Sequence, residues 1–170
     1  MFALSASSIT ITILSSFSLS QMEFSMKDAS INNTTYIAYC PQNAKEYQKF
    51  IKLLLKSTEQ ICFTINPWLD NINEFCSSKW GFLSESIIKY SCDKAIDDPK
   101  YDKSLLYFKN DYPLYNFFIH LSSIFDFTED EELGIIMENP IFIKNREIIC
   151  YTLTHEKFCN VKTELYVQLH

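Results

Sequence analysis

The sequence predicts a mainly α-helical fold. The expected form is a small disulfide-stabilised bundle of five to seven short helices, with the last thirty or so residues open to a β-hairpin. Three observations lead there. Glycine occurs only at Gly81 and Gly134, too rarely for the tight turns of a glycine-rich β-sandwich. Residues 41–62 carry a strong amphipathic helical period. Six cysteines, Cys40, Cys62, Cys76, Cys92, Cys150 and Cys159, form an even set, as in an oxidised, exported protein.

Helices are assigned in chain order. In the first, Ala44, Tyr47, Phe50, Ile51, Leu54, Leu55, Thr58, Ile61 and Cys62 recur at three- and four-residue steps behind Pro41, a residue tolerated in a first turn. Lys45, Lys49, Lys52 and Lys56 follow the same step and line up opposite that stripe. Asn66-Pro67 restarts the chain as an N-cap and first-turn pair. Trp68, Leu69, Ile72, Phe75 and Cys76 then form a second helix, ended by Gly81. Leu83, Ile87, Ile88 and Cys92 suggest a third, and Tyr101, Leu105 and Phe108 after Asp98-Pro99 a fourth. Leu114, Phe117, Phe118, Leu121, Ile124 and Phe125 give a fifth, apolar nearly all round and therefore central. Thr128 and Glu131 read as a capping box opening a short sixth helix. At the C-terminus, Ile141–Ile143, Asn145-Arg146 and Ile148–Thr152 fit a hairpin nearly as well as helices, because short apolar runs have no decisive period.

The domain plan has three parts. Residues 1–20 read as a secretory signal: residues 1–22 are uncharged, and Ser18 and Ser20 are small residues before a cleavage point. Residues 21–39 are an irregular lead-in with overlapping glycan acceptors at Asn32 and Asn33. Residues 40–170 form one helical domain. Six cysteines allow 15 pairings; one of these joins Cys62 to Cys92, Cys150 to Cys159 and Cys40 to Cys76. Their spacing matches no helical secreted framework.

Composition narrows the function. Apolar residues at 47 % and charged residues at 21 % suit a globular chain. A net charge of −6 opposes nucleic-acid binding. Two distant glycines cannot build a phosphate-cradling loop or a nucleophile elbow. No second stretch is long and apolar enough to span a membrane once the signal is removed.

His155-Glu156-Lys157-Phe158-Cys159 is the sharpest chemical motif. On a helix it would place His155 and Cys159 on one face, as weak zinc ligands with Glu156 as base. A cysteine stands where the second histidine belongs, so no metal or other cofactor is expected. The acidic run Asp126, Glu129, Asp130, Glu131 and Glu132 lacks the glycine of a calcium loop and reads as helix-end carboxylates. His120 and His170 have no serine with diagnostic flanks.

The expectation is therefore a secreted, non-enzymatic interaction protein. It would present a rigid helical surface, with Lys45, Lys49, Lys52 and Lys56 as contact candidates, to a protein or glycan partner. The alternative is an extracellular carrier holding a small apolar ligand between helices, lined by Phe117, Phe118, Leu121 and Phe125.

Overall fold

The computed structural model describes residues 35–66, 69, 72–93, 103–126 and 129–169. The signal at 1–20, most of the lead-in with Asn32 and Asn33, the Asp98-Pro99 start and His170 lie outside these residues.

The described residues form an eight-stranded sheet rather than a helical bundle. The strands are β1 (Tyr36–Ala38), β2 (Gln60–Asn66), β3 (Ile87–Asp93), β4 (Lys103–Lys109), β5 (Glu129–Asp130), β6 (Ile135–Lys144), β7 (Glu147–Leu153) and β8 (Phe158–Lys162). They run in the order β1-β8-β7-β6-β2-β4-β3, with β5 against β6. Every pairing is antiparallel. The helices are α1 (Ala44–Lys56), α2 (Ile72–Ser77), α3 (Tyr112–His120) and α4 (Thr163–Val167), with a 3-10 turn at Gly81–Ser86.

All four helices feed one core on one face of the sheet. Phe50 of α1, Phe75 of α2, Phe118 of α3 and Leu165 of α4 are buried together with Phe63, Phe108, Phe142 and Val161 of the strands. Phe63 sits centrally, stacked on Phe118 at 5.9 Å and edge-on to Phe108 at 5.5 Å. The opposite face carries a transverse row set by register: Lys89, Tyr107, Cys62, Ile141, Tyr151, Asn160 and Ala38. Cys62, Tyr107, Tyr151 and Asn160 of that row are buried as well. The central strands are thus buried on both faces.

That double burial is why the mainly-α prediction fails. A strand buried on both sides shows no polar alternation, and its apolar run mimics a helical stripe. The first predicted helix exists, but it stops at Lys56. Thr58, Ile61 and Cys62 continue its period while belonging to the next segment, where Ile61, Phe63 and Ile65 form β2. The Asn110 side chain ends the helix by donating to the carbonyls of Leu55 and Thr58 at 2.6 and 2.9 Å. The third and fourth predicted helices fall on β3 and β4, and Ile88, assigned to a buried stripe, is 48 % exposed. The second survives as six-residue α2 and the fifth as nine-residue α3. The sixth, opened by Thr128 and Glu131, is replaced by β5 and a turn at residues 131–134.

The C-terminal segment takes the hairpin. Asn145 and Arg146 both have positive φ, 50° and 64°, between paired Lys144 and Glu147. Two left-handed residues match the twist of the flanking strands without any glycine. Gly81 is needed for a different reason: a Cβ there would lie 2.1 Å from the Cys76 carbonyl oxygen.

The disulfide bracing is also overturned. Cys40, Cys62, Cys76, Cys150 and Cys159 are free thiols, and Cys92 is described through its backbone alone, in β3. Burial pushes the Cys62 thiol up to about 12, partly offset by a hydrogen bond with Tyr107. Cys150 and Cys159 do meet, with their sulfurs 3.6 Å apart. Burial, then the neighbouring Cys159 thiol, holds Cys150 well above the usual thiol range. A buried, protonated thiol is inert. Among the described residues the core closes without a disulfide.

Candidate functional site

The most complete surface feature is the outer face of α1. Its N-terminus is a reciprocal cap. The Asn43 side-chain oxygen accepts from Glu46 N–H at 3.0 Å. Glu46 reaches back, accepting from Gln42 N–H at 2.9 Å and from the Asn43 amide at 2.8 Å. Tyr47, Phe50, Ile51, Leu54 and Leu55 anchor the inner face. Tyr47 Oη donates to the Phe118 carbonyl at 2.7 Å and Gln48 to the Ile119 carbonyl at 2.8 Å, fixing α1 to α3.

The exposed positions of α1 are Ala44, Lys45, Lys49, Lys52 and Lys56. The four lysines predicted to share a face do so. Lys49 Nζ donates to the Leu169 carbonyl. Among the described residues none of the four forms an ion pair with a carboxylate. The one acidic residue of the helix, Glu46, spends both oxygens on the cap.

The cap lies beside a cleft of about 140 Å³ lined by Pro41, Gln42, Asn43, Ala44, Tyr47, Ser122 and Ser123. Glu46 occupies the helix N-terminus here, and its negative charge leaves no place for an anion.

The residues proposed to line an apolar-ligand site are placed differently from one another. Phe118 is fully buried, with Phe63, Phe117 and Phe142 rings around it at 5.3–5.9 Å. Phe117, Leu121 and Phe125 are partly buried and packed on the core. None of the four lines the cleft beside the α1 cap. Phe82, 59 % exposed, rests against Phe117 at 6.2 Å.

The His155 motif does not form a metal face. Residues 154–157 are the β7–β8 turn, not a helix. Cys159 turns into the core toward Cys150, while His155 stays outside with its side chain 75 % exposed. Its Nε2 lies 2.5 Å from Oε2 of Glu138, whose side chain is 2 % exposed. The neighbouring bonds are reciprocal. Asn139 N–H donates to Thr154 Oγ1 at 2.9 Å, and Thr154 N–H to Asn139 Oδ1 at 2.8 Å. Asn139 sits at φ 52°, where the β6 register against β2 shifts. Three contacts thus pin the β7–β8 turn to the β6 bulge. Sequence reading gives no sign of Glu138 as the neighbour of His155, because the contact depends on how β6 and the β7–β8 turn pack.

The acidic run is likewise structural. Asp130 accepts from Lys79 N–H at 2.6 Å, from Glu132 N–H at 3.1 Å and from Leu133 N–H at 3.2 Å. These bonds, the Lys79 one foremost, hold its carboxyl below the usual range. Asp126 accepts from the Ser122 hydroxyl at 2.6 Å. His120 is exposed and its Nδ1 meets the Asn116 carbonyl at 2.7 Å. Among the described residues no cluster of three or more His, Cys, Asp or Glu side chains is placed to hold a metal ion. No helix among them is long and apolar enough to cross a membrane.

No protein-family model, curated protein or solved structure matches this chain.

Proposed function

We propose that this chain is a non-enzymatic binding protein and that α1 is the surface it offers to a macromolecular partner. One observation carries the reading: a helix fixed at its N-cap, along its inner face and to α3 presents four exposed lysines that no described carboxylate neutralises. A rigid face loses little conformational freedom on binding, so its charge interactions are not spent on ordering the helix. Unneutralised cations also speed encounter with an anionic partner.

Export belongs to the proposal on the strength of the uncharged leader 1–20 and the acceptors Asn32 and Asn33 alone. The cysteines no longer argue for it.

The test is site-directed photo-crosslinking in the producing cells and their medium. A photoreactive residue at position 52 should give a discrete macromolecular adduct that the same residue at position 89, in β3, does not. Identical adducts from both positions, or none from position 52, would refute α1 as the contact surface.

A further inference from the structure

We infer that the partner of α1 is a linear anionic polysaccharide, sulfated or carboxylated, lying along the helix; this rests on reading α1 as the binding surface. The geometry of the row comes first. Lys45, Lys49, Lys52 and Lys56 are spaced by about one turn each, and at 1.5 Å per residue they span about 16 Å. Such a row presents regularly spaced point charges on four-carbon stems, with Lys49 also donating to the Leu169 carbonyl. A polymer with an acidic group at each sugar or disaccharide meets that pattern with no further contact.

What the face lacks selects among polyanions. Its exposed residues are one alanine and four lysines. Interfaces between folded proteins concentrate their energy in buried Trp, Tyr and Arg anchors, and α1 exposes none of these. Single-stranded nucleic acid is held by aromatic platforms under its bases, and α1's one aromatic pair, Tyr47 and Phe50, is buried. A helix that lies in a membrane interface inserts its apolar face, whereas that of α1 is consumed by the core. An anionic glycan requires only the cations.

The experiment titrates the full chain with heparin at low salt. Uncharged dextran, a single-stranded oligonucleotide and anionic phospholipid vesicles are the parallel arms. Two variants accompany it: Lys45, Lys49, Lys52 and Lys56 all changed to Gln, and a control of equal charge with Lys89, Lys109, Lys144 and Lys157 changed to Gln. Circular dichroism verifies that both fold. Heparin should bind the native chain and the control, weaken steeply with added salt and lose at least tenfold affinity for the α1 variant. Dextran should not bind. Equal losses in both variants would reduce the effect to net charge and overturn the inference, as would absence of heparin binding. Binding of the oligonucleotide or vesicles in preference to heparin would overturn the polysaccharide while leaving α1 as the surface. A position-52 adduct consisting of protein alone would do the same.

Discussion

α1 and the β6–β8 region place their apolar side chains in opposite ways. α1 buries five residues on one side and leaves four lysines in water on the other. In β7, five consecutive residues, Ile148 to Thr152, are buried, on both faces of the sheet. The lesson is a division of labour. The sheet holds the fold and tolerates little change; the outer face of α1 carries the lysines proposed to bind a partner, of which Lys49 also donates to the Leu169 carbonyl. Substitutions should sort accordingly.

The largest effect is expected at the centre of the sheet. Phe63→Ala removes a fully buried ring in contact with Phe108 and Phe118. Urea denaturation should show a loss of about 3–5 kcal/mol, the usual cost of emptying such a site. Next comes the β7–β8 turn. His155→Ala removes the Nε2 contact with Oε2 of the buried Glu138 and should cost about 1–2 kcal/mol, the order of a lost hydrogen bond to a buried polar group.

On the α1 side, effects should shrink toward the solvent. Asn43→Ala deletes the cap bond to Glu46 N–H and should cost about 1 kcal/mol by the same denaturation assay. Acid should act locally at the β5 turn. The Asp130 carboxyl is held below its usual value, first by the Lys79 N–H. Its stabilising contribution is complete above the unfolded carboxyl pKa of about 3.9 and fades as pH falls through the lower folded value. A melting-temperature series down to pH 2.5 should therefore drop less steeply for Asp130→Asn than for the native chain.

The same contrast explains what the sequence revealed. α1 was legible because one face is apolar and the other charged, so its 3.6-residue period stands out. The lysine row came with it, by position. Its freedom from ion pairs was not legible, because that depends on Glu46 folding back onto the cap. The sheet was nearly invisible. β7 is apolar on both faces and shows no alternation; β2 alternates, but Ile61 and Cys62 prolong the helical step of α1 and mask it, and Ile87 and Phe108 fall by chance at helical steps within β3 and β4. The β6–β7 hairpin was half legible through Asn145-Arg146, where asparagine accepts a positive φ. The even cysteine count misled: Cys150 and Cys159 are neighbours because their strands pair, and they pack as ordinary small apolar side chains.

The most direct test measures stability and binding on one sample, the chain with Lys45, Lys49 and Lys56 changed to Gln and the photoreactive residue at position 52. Separation of fold from surface predicts a urea-unfolding free energy that changes by no more than about 0.5 kcal/mol per site, together with loss of the position-52 adduct. Marked destabilisation, or an adduct that persists undiminished, would contradict it.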